Sequence, residues 1–193
     1  MHFKPVILQS TSPAYKELSE LTYPTVDRYA DKYGIDVVRI KTGMEIFTIA
    51  KSKISSIIRL LEMDYTHVLW IDTDAYIQTH VPLSFPEGDL FIAKDVNGIN
   101  AGVMAVSKSG LPMLRRVLEM EMTAPWYEQG LIASLLDDYN VVYMPQRDFN
   151  AYFYELYALS HPEGQVHEGS FIVHLPGLPN SDRISILKQK RDL

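Results

Sequence analysis

The sequence predicts an α/β fold with a mostly parallel central sheet flanked by helices, and three observations point to it. Short β-branched runs alternate with longer segments of helical periodicity, the order expected of strands joined by crossover helices. One run, His67–Ile71, is apolar on both faces, as a central strand covered by helices should be. No internal repeat, low-complexity segment or Gly/Ser linker divides the 193 residues, so residues 1–193 are expected to form a single domain.

In chain order, Val6–Thr11 reads as a buried strand closed by Ser-Pro. Ala14–Tyr33 carries Leu18, Leu21, Val26, Tyr29 and Tyr33 at helical spacing, with Gly34 as a stop and Pro24 as a break point. Asp36–Ile40 follows as a strand. Lys51–Met63 is an amphipathic helix whose stripe is Ile54, Ile57, Ile58 and Leu61. After His67–Ile71, the segments Leu90–Ala93 and Gly102–Val106 read as strands separated by the Asn/Gly-rich turn Asp95–Ala101. Pro112–Met122 and Glu128–Asp137 read as helices, and Val141–Tyr143 and Phe171–His174 as the last strands. The basic run Lys188–Arg191 reads as a solvated helix end.

Composition narrows the function. With no cysteine, the chain has no disulfide framework, thiolate metal site or cysteine nucleophile. Eighteen Lys+Arg against 24 Asp+Glu, a net charge of -6, argue against a fold-wide field for nucleic acid. No stretch is apolar enough for a signal-peptide core or a membrane span. The expectation is a soluble, cytoplasmic protein, or an excised domain of a longer one.

A sheet of this class binds ligands beyond the carboxyl ends of its strands. There the third strand runs directly into Asp72-Thr73-Asp74. Two carboxylates at that position can share one hard divalent cation, Mg²⁺ or Mn²⁺. Two chemistries use such a pair. In one, a haloacid-dehalogenase-type phosphatase, Asp72 is the nucleophile and Asp74 the acid/base, with Asp137-Asp138 imitating the later acidic motif. Tyr76 stands where those enzymes carry Thr or Val. In the other, the pair holds a metal against the diphosphate of a nucleotide sugar.

The wider pattern resembles the GT-A glycosyltransferases. It is most similar to the retaining family of fungal galactosyl- and mannosyltransferases and plant xyloglucan xylosyltransferases, and more distantly to glycogenin and bacterial lipopolysaccharide galactosyltransferases. The resemblance rests on six patches in order: Ala50-Lys51, LWIDTDAYI, INAGVMAVSKSG, WYEQGLIASLL, MPQRDFNAY and FIVHLPG. It implies that Asp72, Asp74 and His174, in the pattern His-x-x-Gly, hold Mn²⁺ or Mg²⁺, and that Gly177 lets backbone approach the diphosphate. It implies donor contacts from Asn100-Ala101-Gly102, from Thr73, and from Lys51 as a point charge. Gln9, Ser10 and Thr11 lie where such enzymes bind base and ribose. Gln129 would lie near the anomeric carbon, and Asp95 would face the donor sugar. Gln146, Arg147, Asn150 and Tyr152 match a further segment without assigned roles. One departure is Asn180, where bacterial relatives carry a lysine that touches the diphosphate; Arg183 is the candidate substitute.

The implied activity is metal-dependent transfer of a sugar from a nucleotide diphosphate sugar, UDP favoured, to a glycan or other hydroxyl acceptor with retention. The alternatives are the phosphatase and a non-catalytic nucleotide-sugar-binding module.

Overall fold

The computed structural model of the chain describes residues 2–43, 46–95, 98–153 and 164–190. In chain order the elements are β1 (Pro5–Thr11), α1 (Lys16–Tyr33), β2 (Asp36–Lys41), α2 (Ile46–Glu62), β3 (His67–Ile71), β4 (Ala75–Ile77), β5 (Leu90–Ala93) and β6 (Asn100–Ser107). They continue with α3 (Leu111–Glu119), α4 (Glu128–Ala133), β7 (Val141–Met144), α5 (Gln146–Phe149), β8 (Ile172–His174) and α6 (Asn180–Gln189). Six strands form one sheet in the order β2-β1-β3-β6-β5-β7. All run the same way except β6, which is antiparallel to both of its neighbours.

The core sits on both faces of this sheet, as the apolar runs demand. Because side chains alternate along a strand, Val6, Leu8, Val68, Trp70, Met104 and Val106 face one way, toward Ile54, Ile57, Leu61 of α2 and Met113, Leu114, Val117 of α3. Ile7, Leu69, Ile71, Val103 and Ala105 face the other way, toward Val26 and Tyr29 of α1 and Phe171 and Ile172. Every residue of β5 and β6 is buried.

Several boundaries differ from the sequence reading. Pro24 lies inside α1 without breaking it. Its ring is on the exposed face, and buried residues on both sides, Leu18, Thr22, Val26 and Tyr29, clamp the helix to the sheet. Gly34 does end it, in the left-handed conformation (φ 63°) with its N–H bonded to Ala30 O. Helix α2 begins before Lys51, and the helix expected to reach Asp137 is α4, which ends at Ala133 before a separate 3-10 turn at Leu136–Asp138. Strand β6 starts at Asn100 because Ala93 pairs there after a register shift past Ile92. Val96 and Asn97 of the expected turn, and Arg191 of the basic run, lie outside the described residues. The expected final strand is not in the main sheet: β8 pairs antiparallel with β4 in a sheet of two strands. No helix among the described residues is long and apolar enough to cross a membrane.

Ile57 is fully buried between α2 and the sheet. Ile57→Ala should lower stability by about 2–5 kcal/mol, read as a lower urea midpoint at an unchanged slope.

Candidate active site

The topology brings together segments far apart in sequence. Strand β3 delivers Asp72 to the carboxyl edge of the sheet. Because β6 runs antiparallel, its first residues lie at that same edge: Ile71 pairs with Val103, and Asp72 N–H donates to Gly102 O at 2.8 Å. The small sheet brings the third part. Its register sets His174 opposite Ala75, and Leu175 N–H bonds Asp74 O at 3.1 Å. Asp72, Asp74 and His174 therefore converge, their ligand atoms all within 4.8 Å of one another.

His174 Nε2 is 3.3 Å from Asp74 Oδ1 and 4.0 Å from Asp72 Oδ2. Asp72 Oδ1 accepts the indole N–H of Trp70 at 2.6 Å, which leaves Oδ2 toward the histidine. Asp74 Oδ2 accepts from Arg183 Nη2 at 3.0 Å. The two carboxyls titrate apart. Burial pushes Asp72 up, aided by the charge of Asp74 and opposed by Lys53 and His174. Burial would also raise Asp74, but His174 and Arg183 together hold it below the ordinary carboxylate range.

The protonation pattern of His174 can be deduced from a chain of hydrogen bonds that begins at a backbone amide. Gly102 N–H donates to a side-chain atom of Asn100 at 2.9 Å, so that atom must be the oxygen, Oδ1. The same Oδ1 faces Asn150 at 3.1 Å, so Asn150 presents its Nδ2 there. Asn150 Oδ1 is then the atom 3.0 Å from His174 Nδ1, which must carry a proton to donate. Nε2 therefore faces the two carboxylates. As a charged imidazolium it donates to Asp74, which is how it holds that carboxyl down. In the neutral form that a bound cation would require, it offers a lone pair. A lone pair facing two anions is stabilised by a cation between them, and two oxygens with one imidazole nitrogen suit Mn²⁺ or Mg²⁺. Ligands about 2.1 Å from one such ion stand up to about 4.2 Å apart, and His174 Nε2 is within that span of both carboxylates.

Gly102 keeps this space open. A Cβ there would overlap His174 Cε1 and come within 2.8 Å of Asp72 Oδ2 and His174 Nε2. His174 is 2% exposed and could not withdraw.

The trio opens into a cavity of about 420 Å³, a size suited to a small organic ligand. Of the expected donor residues, Ser10, Asp72, Thr73, Asp74, Asn100, Ala101, Gly102 and Gly177 line it, as do Gln129, His174 and Arg183. Thr73 ties the loop to β1 by donating to Ser10 O. Gly177 has φ 72°, a conformation that favours glycine, as the chain turns past the cavity. Gln129 Oε1 accepts the N–H of Ala101 at 3.0 Å, leaving its amide N–H groups as what it can donate to a ligand.

Four candidates lie elsewhere. Gln9 is fully buried and accepts two bonds from Arg39. Thr11 is on the far side of Ser10 and its carbonyl accepts from Thr42. Asp95 accepts from Tyr152 OH at 3.2 Å and is not a wall residue, although Tyr152 packs edge-on against His174. Lys51 is exposed on the outer side of α2.

The lysine that does reach the cavity is Lys53. It is 2% exposed, with Nζ 2.5 Å from Ala101 O, 3.1 Å from Glu128 Oε1 and 4.9 Å from the centre of the Trp70 ring. The sequence carried a signal for it. Ala50, Ile54 and Ile57 define the buried stripe of α2, and Lys53 falls inside that stripe at helical spacing from Ala50 and Ile57. A lysine in an apolar stripe is buried only when paired, and Glu128 supplies the partner.

Comparison with known proteins agrees with this arrangement at the level of fold. No protein-family model matches the chain, and no curated protein matches it. Solved structures do. A glycosyltransferase involved in the glycosylation of the major capsid of PBCV-1 superposes with a TM-score of 0.78 at 18% identity, over 96% of this chain and 99% of that one. The galactosyltransferase LgtC, solved with donor and acceptor sugar analogues, gives 0.57 at 13% identity over 95% of each chain. The glycosyltransferase GlyE of Streptococcus pneumoniae gives 0.63 at 13% identity, over 100% of this chain and 61% of that one. The chain has the GT-A fold. At such identities the likeness establishes the fold alone.

Asn150 makes no contact with the cation position, yet it fixes the tautomer that faces it. Asn150→Leu should weaken Mn²⁺ binding by about 10–100-fold, read by electron spin resonance of free Mn²⁺. Nitrogen-15 spectra of His174 should show the Nδ1–H tautomer losing its dominance.

Proposed function

We propose that the protein is a retaining, metal-dependent glycosyltransferase that moves a sugar from a nucleotide diphosphate sugar, UDP favoured, to a glycan or other hydroxyl acceptor. The observation that carries this reading is the Asp72–Asp74–His174 group at the carboxyl edge of a GT-A sheet, opening into a cavity that Gln129 also lines. Two carboxylates with a neutral imidazole lone pair match what Mn²⁺ or Mg²⁺ needs, and a bound cation would offset the charge that develops on the departing diphosphate.

The residues of the chain divide the remaining work. Arg183 is held against Asp74 by one nitrogen, with Nε on Leu175 O and Nη1 on Asn180 Oδ1. A guanidinium so oriented can pass its Nη2 contact from Asp74 to a phosphate oxygen, serving where Asn180 cannot. Gly177 and the backbone of Asn100–Gly102 allow close approach of the diphosphate and the sugar. Lys53 sets a fixed positive charge beneath the sugar position, balanced by Glu128.

Gln129, pinned by Ala101 N–H, orients its amide toward the reacting carbon. A neutral amide is a poor nucleophile, so the reading has the acceptor oxygen attack from the face the leaving group departs. The acceptor proton passes to the departing phosphate oxygen, and Gln129 stabilises positive character on the ring. Asp95 has a supporting place through Tyr152. The phosphatase alternative needs further acidic groups beside Asp72, whereas Asp138 is engaged with Arg116 at the surface, 2.6 Å apart.

The test is calorimetric titration with UDP-glucose, UDP-galactose, UDP-xylose and GDP-mannose, with and without Mn²⁺. One donor should bind only with metal, and Asp74→Ala should abolish that binding. Gln129→Ala should bind the donor yet turn over about tenfold or more slowly. Metal-independent binding, or Mg²⁺-dependent hydrolysis of p-nitrophenyl phosphate without donor binding, contradicts the reading.

A further inference from the structure

Trp126 is at odds with its own chemistry. The chain has two tryptophans, and Trp70 is 1% exposed in the core. Trp126 is 60% exposed, although it lines the cavity, so much of a large apolar ring faces water.

Its backbone is also unusual. Trp126 (φ 57°) and Tyr127 (φ 53°) are the non-glycine residues with positive φ among the described residues, and they are consecutive. Bulky side chains rarely adopt this region, and such outliers persist only where the surroundings over-determine them. Here the turn is held by Tyr127 N–H to Ala124 O at 3.0 Å and Gln129 N–H to Trp126 O at 3.1 Å. Gly130 presses against the Pro125 carbonyl, with which a Cβ at that position would overlap. The result separates two adjacent aromatics. Tyr127 packs against the core as well as lining the cavity, whereas Trp126 lines the cavity with most of its ring exposed.

Trp126 shares the cavity wall with Gln129, three residues on. The wall runs from Ser10 and Thr42 at the β1–β2 edge, through the carboxylates after β3, to Asn100–Gly102 on β6 and then Gln129 and Trp126 beside it. Tyr15 and Tyr127 are further aromatic residues of the cavity wall. A chemistry suited to an exposed indole face there is the C–H face of a pyranose. Its ring hydrogens meet the electron-rich π surface, while its hydroxyls remain free for polar neighbours.

Resting on the glycosyltransferase reading, we propose that Trp126 is the stacking platform for a pyranose ring of the acceptor, so that the acceptor is a saccharide or glycoside. Removing the platform should weaken acceptor binding about three- to tenfold, with the loss falling on acceptor KM more than on donor affinity.

The test uses intrinsic fluorescence, taken as the difference between wild type and Trp126→Phe so that Trp70 cancels. With Mn²⁺ and UDP present, methyl glycosides of galactose, glucose, mannose and xylose are titrated in turn, with sorbitol as the acyclic control. At least one glycoside should shift the Trp126 emission saturably and shield it from acrylamide. Sorbitol should not, and Trp126→Ala should lose the glycoside affinity as read by calorimetry. A Trp126 response to UDP–Mn²⁺ alone would assign the ring to the nucleotide and overturn the proposal. Donor binding with no glycoside response would overturn it while leaving the glycosyltransferase reading intact. Failure of every donor to bind would overturn both.

Discussion

Gly102 N–H, by donating to Asn100, dictates through Asn150 which nitrogen of His174 holds the proton. Each contact in that sequence leaves its partner one orientation, so a backbone N–H determines the chemistry of a side chain to which it makes no hydrogen bond. The amide itself is fixed by the antiparallel pairing of β6 with β3. Reverse that strand, and Asn100 would lie at the opposite edge of the sheet from Asp72. The metal-binding capacity therefore depends on the one strand that runs against the rest.

The same edge concentrates charge that the surrounding fold must tolerate. Lys53, Glu128, Asp74 and Arg183 are all largely buried. A buried pair adds little net stability, because desolvation offsets most of its attraction. Removing one member leaves the other uncompensated, so these pairs are better understood as holding donors and charges in fixed places than as contributions to folding. The apolar layers on both faces of the sheet stabilise the domain, and the site depends on their rigidity. His174 reaches its position through two short strands, packed on the α1 side of the main sheet and tied to Ala151, whose carbonyl accepts the His174 N–H at 2.8 Å.

Much of this was legible in the sequence. The alternation of strands and helices, the double-faced apolar run at His67–Ile71 and the abrupt acidic pair after it led to the α/β class and to Asp72 and Asp74. Other features were hidden for identifiable reasons. Ala75–Ile77 is too short for a period-2 pattern, so its pairing with Ile172–His174 could not be foreseen, and His174 came only from the family resemblance. The antiparallel direction of β6 is invisible to periodicity, which is the same for either orientation. The family pattern points to Lys51, whereas the apolar stripe of α2 points to Lys53. Asn150 is marked in the sequence by the family resemblance alone and without a role, because its role exists only once three distant segments have met. The positive φ of Trp126 and Tyr127 was equally unreadable, since neither residue type predicts it.

Asp72, Asp74 and His174 are arranged to form one metal site with a single imidazole ligand. Electron spin-echo envelope modulation on the protein loaded with Mn²⁺ and UDP measures this directly. The structure predicts nitrogen modulation from one histidine, absent in His174→Ala. Bound Mn²⁺ with no nitrogen coupling, or coupling that survives in His174→Ala, would contradict it.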